Sequence, residues 1–254
     1  YLGQRKGYAS TSDFSSTAVR ETVAAALNIA RYTAEDACAG LPERELLASR
    51  EQGAVDLGLY CPWALSVEAA ADLARRCEQA AFAVSPQVSN SEGATVSTQE
   101  GQFVAANSLG FIGGYPTSRH YLSCSVIAGS GDGMQRDDWY STSRDPRGIA
   151  SPEEIGDYAA RRALSRLKPR KIRTCKVPVL FEAPLAASLI ASFVHAASGG
   201  SLYRKTSFLV DSLGKRIFPK SLHIDERPHL SGGLASSMFD NDGVATRDRS
   251  VVAG

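Results

Sequence analysis

Between Asp13 and Arg31 the apolar positions Val19, Val23, Leu27 and Ala30 recur at the spacing of one helical face, and the serines at 15 and 16 offer caps for its start. A second helix is predicted after Ser66, where Ala70, Ala74, Cys77 and Ala81 share a face while Arg75, Arg76 and Glu78 favour water. From about Gln87 to Ser143 the pattern changes to short segments rich in Val, Phe, Tyr, Ser and Thr: "ATVSTQ", "QFVAANS", "GFIGGYPTS", "HYLSCSVIAG" and "DDWYSTS". The turn formers "EG", "SLG" and "GSGDG" punctuate them, so the reading is an antiparallel meander with helices over one face.

A third helix opens at "SPEEI". Ser151 caps it, Pro152 fits its first position, Glu154 completes a capping box, and Ile155, Ala159, Ala163 and Leu167 form its apolar stripe. The basic stretch "LKPRKIRTCK" breaks at Pro169 and leads into "VPVLFEAP", a candidate buried strand. The helix after Pro184 is apolar almost all round and is expected to be buried. Extended pieces with Gly and Pro turns follow, among them "KRIFP", "SLHID" and "DNDGV".

The fold class predicted is α+β: helices packed on an antiparallel sheet over residues 1–171, then a β-rich domain with one buried helix over residues 172–254. At 254 residues the chain can bury a substantial core without disulfides. Its five cysteines (Cys38, Cys61, Cys77, Cys124 and Cys175) are scattered and never spaced C-x-x-C, the usage of reduced cytoplasmic thiols. The apolar run from Pro184 to Ser198 is too short to span a bilayer, and no signal peptide is visible. A net charge of +1 supplies no general attraction for nucleic acid or anionic lipid. The first residue is Tyr1 and the last segment, "RDRSVVAG", has a strand-like pattern that reads as cut, so a piece of a longer protein is expected.

Candidate chemistry is sparse. Ser188, Ser192 and His195 make a narrow polar stripe on an otherwise apolar helix. A zinc-protease helix needs a second histidine about a turn on and a glutamate beside the first; here Ala196 is the neighbour, and Gly199 and Gly200 stand where another ligand could be. "LHIDERPHL" places His223, Asp225, Glu226 and His229 within seven residues, but Pro228 bends the chain and a solvated strand and turn accounts for it. Gly129, Gly131 and Gly133 lack the final spacing of a phosphate-binding G-x-G-x-x-G and suit a hairpin turn. The run Arg166, Lys168, Arg170, Lys171, Arg173 and Lys176 has no interleaved aromatics for base stacking and reads as a solvated face.

Several long blocks carry a resemblance: "QRKGYASTSDFS" near the start, "ALNIARYTAEDACAGLPERELLA", "RRALSRLKPRKI", "GGSLYRKTSFLVDSLGK" and "PHLSGGLASSMFDNDGV". Together, from end to end, they resemble the PmbA (TldE) type of subunit in the TldD/PmbA metallopeptidase family, whose older label is modulator of DNA gyrase. TldD-type subunits carry His-Glu-x-x-x-His on a helix, followed by an Arg-Lys pair. The matching stretch here is "HAASGG" followed by "YRK": His195 falls on the first ligand, Ala196 on the catalytic glutamate and Gly200 on the second histidine. Alanine cannot deprotonate a zinc-bound water and glycine cannot ligate, so the resemblance implies a chain without catalytic residues or metal of its own. It further implies a cytoplasmic heterodimer with a zinc-bearing TldD-type catalytic subunit, acting on small unfolded peptides such as microcin precursors and antitoxins. Gly199, Tyr203, Arg204 and Lys205 are the candidate contacts to substrate or partner. Direct binding of nucleic acid or membrane is not expected, and a homodimer of isolated chains stays open. Two other readings stand beside this one: a zinc peptidase in its own right, through His195 or through His223 and His229, and a gyrase-associated interaction protein without protease activity.

Overall fold

The computed structural model describes residues 1–253. They form two compact units, the first joining residues 1–167 to 227–248 and the second joining 168–226 to the chain from 249 onward. In the first unit, α1 (Ser16–Tyr32) starts where the Ser15 side chain accepts the Ala18 N–H. A single turn, α2 (Arg50–Gly53), is closed by a Ser49–Gln52 capping box. α3 (Val67–Val84) is capped by Ser66, as its sequence predicts.

The meander consists of three strands, β1 (Val88–Ala106), β2 (Ile112–Ala128) and β3 (Gln135–Ser143), antiparallel in the order β1-β2-β3. The expected turn at "EG" is absent. Gly101 keeps a negative-φ backbone opposite Thr117 and Glu100 lies opposite Ser118, so two predicted strands are one. Glycine supplies a turn only where the chain needs φ above zero, and the continuing ladder with β2 does not ask for it here. "SLG" and "GSGDG" do turn: Asn107 N–H bonds Phe111 C=O at 3.0 Å, and a 3₁₀ turn at Gly131–Gly133 joins β2 to β3. β3 pairs only with residues 120–128 of β2, so the other half of the β1–β2 hairpin projects as a two-stranded arm.

α4 (Pro152–Ser165) carries the predicted capping box, with the Ser151 hydroxyl accepting Glu154 N–H and the Glu154 carboxylate accepting Ser151 N–H. It packs with α3 on the sheet through small residues. Cys77 and Ala81 of α3, Ile155, Ala159, Ala160 and Ala163 of α4, and Leu122, Cys124, Val126 and Ala128 of β2 are all buried. A Cβ on Gly156 would lie 2.0 Å from the Cys77 carbonyl oxygen, so glycine sets the helix separation. A second core lies under the arm, where Phe239 packs edge-on to Phe111 and Tyr115 with centroids at 5.0 and 5.5 Å. Leu57, Leu59 and Met238 complete it. Residues 227–248 thus fold with the first unit.

The second unit contains α5 (Ala183–Ala197), the five-residue α6 (Gly199–Tyr203), and a ribbon of β4 (Ile224–Glu226) with β5 (Arg249–Val252). Two expectations are corrected here. "VPVLFEAP" forms no strand, and its Leu180 is 98% exposed. α5 is a helix as predicted, yet none of its residues is buried, and Leu185, Leu189, Ile190 and Val194 are exposed. Within the unit a three-residue and a four-residue strand offer too little apolar surface to enclose it, and Phe193 finds only Phe218, edge-on at 5.0 Å. No helix among the described residues is long and apolar enough to cross a membrane.

Candidate functional site

The His195 segment sits where one helix stops and another starts. Ser198 takes extended backbone angles (φ −62°, ψ 141°), ending α5 and capping α6 in one residue. Its hydroxyl is 2.8 Å from the His195 carbonyl and 3.0 Å from the Ser201 hydroxyl, while Ser201 is buried. Along α5 the polar stripe turns back on its own helix: the Ser188 hydroxyl donates to Leu185 C=O and that of Ser192 to Ser188 C=O. His195 itself is exposed near the C-terminal end of α5.

Gly199 and Gly200 differ in what surrounds them. A Cβ at 199 would meet nothing within 4 Å, whereas one at 200 would stand 3.3 Å from the Arg204 guanidinium. The space a ligand side chain at 200 would enter is therefore bordered by a cation, which repels a metal ion. Tyr203 and Arg204 close α6, both exposed, and Lys205 leaves it in the left-handed region at φ 54°. The donor set at this junction is one imidazole, which does not fit the three protein ligands of a catalytic zinc. Among the described residues no three His, Cys, Asp or Glu side chains converge to hold a metal.

The other sequence candidates scatter. His223 belongs to the second unit, as do Asp225 opposite Ser250 and Glu226, which pairs with Arg249. His229 belongs to the first, its Nε2 3.0 Å from the Thr246 hydroxyl. That hydroxyl donates to Ser237 C=O at 2.6 Å, so His229 Nε2 is the donor to it. In the basic run, Arg166 joins Arg162 on the enclosed Asp137 carboxylate at 3.2 Å each. Those two guanidiniums and the Asp138 N–H outweigh burial and hold the Asp137 carboxyl below its ordinary range.

Two polar groups, the buried His120 and the half-buried Arg144, escaped the sequence reading. His120 is fully enclosed, with Nε2 2.8 Å from Cys61 C=O and Nδ1 2.9 Å from the Thr98 hydroxyl. A carbonyl can only accept, so Nε2 carries the hydrogen and Nδ1 accepts from Thr98. This pins the segment before α3 onto the sheet. Arg144 donates to four backbone carbonyls: Gly233, Leu234, Ser118 and Leu59. It ties residues 227–248 to β2. Period-two alternation along "SRHYLSCSVIA" would have turned His120 inward with Leu122 and Cys124; for Arg144 no local signal exists.

The model of the PmbA/TldA metallopeptidase central domain matches residues 60–167, and that of the C-terminal domain matches residues 174–254. The chain belongs to the PmbA/TldA metallopeptidase family. It is 45% identical over 252 residues to the metalloprotease PmbA homolog of Haemophilus influenzae, covering 99% of this chain and 55% of that protein. With metalloprotease PmbA of Escherichia coli O157:H7 the identity is 46%, again over 99% of this chain and 55% of the relative. The chain thus spans about half the length of the curated relatives it matches. Among solved structures, a protein from Bacteroides thetaiotaomicron described as a modulator of DNA gyrase superposes with a TM-score of 0.90 at 24% identity, covering 100% of this chain and 58% of that one. TldE from Thermococcus kodakarensis superposes with a TM-score of 0.69 at 17% identity, over 99% and 56%. At those identities the structures support the fold.

Proposed function

We propose that this chain is the non-catalytic, PmbA/TldE-type subunit of a cytoplasmic peptidase complex that processes or degrades small unfolded peptides. Hydrolysis belongs to a zinc-bearing TldD-type partner; this chain contributes a wall of the substrate chamber and an interface. One observation carries the reading: at the positions that match the family's His-Glu-x-x-x-His, His195 stands alone, with Ala196 and Gly200 in place of the base and second ligand. Gly199, Tyr203, Arg204 and Lys205 then serve contact rather than chemistry, the two cations suiting a peptide carboxylate.

The curated relatives are named metalloproteases, which favours the second reading, a peptidase with its own zinc. One experiment separates the two. Zinc content and peptide cleavage are measured for the intact protein alone, for a TldD-type subunit alone, and for the mixture. The expected result is a metal-free, inert protein here and cleavage that depends on the TldD-type chain. Near-stoichiometric zinc together with cleavage by this protein alone would overturn the proposal.

A further inference from the structure

Beyond Arg166 the basic run loses its partners. Arg161 pairs with Asp157, and Arg162 and Arg166 share Asp137. Lys168, Arg170, Lys171, Arg173 and Lys176 make no ion pair or side-chain hydrogen bond with any described residue. All five are exposed, and no Asp or Glu occurs in the sequence between Asp157 and Glu182 to screen them. The whole chain carries only +1, so outside this segment it is acidic on balance. The attraction for an anion is local, and the total charge hides it.

The backbone here is as open as the side chains. Residues 168–181 form no helix or strand, and no backbone hydrogen bond joins them to any described residue. Pro169 and Pro178 favour extended chain before them. Extended, the stretch from Lys168 to Lys176 spreads its cations over roughly 30 Å. Apolar side chains accompany them. Ile172 is exposed among the cations, and Val177, Val179 and Leu180 follow as an exposed block, Leu180 at 98%.

These features discriminate among anionic partners. A nucleic acid strand matches the charges, but no aromatic side chain lies between Ala159 and Leu180 to stack on its bases, and its phosphates gain nothing from an exposed leucine. A folded acidic surface asks for fixed side-chain positions, which a chain without backbone bonds does not offer. A bilayer asks for neither: it is laterally fluid, its headgroups carry charge, and an apolar layer begins just below them. The backbone stays at headgroup level, because hydrocarbon would leave its N–H and C=O groups unpaired.

We propose that residues 168–181 dock this protein on an anionic lipid surface. The five cations meet headgroup phosphates, while Ile172 and Leu180 enter the boundary beneath them. Both parts are required, since one weak apolar anchor alone gives only marginal attachment. The contact is peripheral, no described helix being long and apolar enough to cross a membrane. It stands apart from the peptidase reading and needs neither metal nor cleavage.

The test is co-sedimentation of the intact protein with sucrose-loaded vesicles of phosphatidylcholine alone, or of phosphatidylcholine with about a third phosphatidylglycerol, at about 0.1 M salt. Binding is expected only to the anionic vesicles. The triple substitution Arg170→Gln, Lys171→Gln and Arg173→Gln should weaken it about a hundredfold, each cation near the surface being worth roughly fivefold. Leu180→Ser should weaken it about fivefold. None of these side chains has a packing role, so the variants keep the fold. Lys215→Gln, Arg216→Gln and Lys220→Gln together remove the same charge from exposed positions of the same unit and should change binding less than threefold. Equal binding to neutral vesicles, or equal losses in the two triple variants, would overturn the proposal. So would absence of vesicle binding, including the case where labelled oligothymidine or polyglutamate binds instead.

Discussion

Replacing Arg144 tests what holds residues 227–248 to the first unit. The side chain donates to Gly233 C=O at 2.9 Å and Leu234 C=O at 2.8 Å, with longer bonds of 3.2 Å to Ser118 C=O and 3.4 Å to Leu59 C=O. Burial lowers its pKa. Arg144→Met keeps the stem and deletes every donor. Two good bonds from a charged donor, at about 1.5 kcal/mol each, set an upper figure of about 3 kcal/mol. Gly233 and Leu234 lie near the surface and their carbonyls rehydrate, while Leu59 C=O retains the Ser118 N–H. The expected cost is therefore about 2 kcal/mol, or roughly 4–8 °C in Tm for a unit of this size. Arg144→Lys should recover no more than half, because one ammonium cannot reach Gly233, Leu234 and Ser118 together. Both tryptophans, Trp63 and Trp139, lie in the first unit, so urea unfolding followed by their fluorescence reports that unit. Amide exchange across residues 228–238 should quicken in step. A loss below about 0.5 kcal/mol, or a loss without quicker exchange there, would refute the clamp.

Two further substitutions probe the packing and the electrostatics. Gly156→Ala drives a methyl against the Cys77 carbonyl and should cost about 3 kcal/mol in the same fluorescence assay, whereas Gly199→Ala, with nothing within 4 Å, should leave stability unchanged. Equal effects would mean that glycine does not set the α3–α4 distance. Hydrogen bonds from the Arg147 side chain and backbone N–H hold the Asp145 carboxyl down at about 2. A depressed carboxylate stabilises above its ordinary value of about 3.9 and loses that contribution as pH falls toward about 2. Tm curves of the unsubstituted protein and Asp145→Asn should then converge between about pH 4 and pH 2; a constant separation would count against the pairing.

The parts of the fold legible from sequence are those whose chemistry is local. Ser66 and Ser151 announce helix starts because a cap is made within three residues, and "GSGDG" announces a turn because glycine accepts positive φ, as Gly129 and Gly131 do. "EG" reads the same and is not a turn, since Gly101 has a strand partner, Thr117, sixteen residues further along the chain. α5 shows the converse failure. Its apolar circumference correctly says that it needs cover, but the pattern cannot say whether the cover lies within the same stretch of chain. The reading of "HAASGG" against a zinc-protease helix rests on resemblance alone, because Ala196 and Gly200 carry no pattern of their own.

The open edge of β2 is the deepest case. Every side-chain motif in this chain could be weighed from its letters, and each proved weak as a catalytic or metal site. The groups that remain unpaired at Gly114 and Pro116 are backbone groups, the same in every residue. They stay open only because register, a proline and a short third strand leave them beside a hollow.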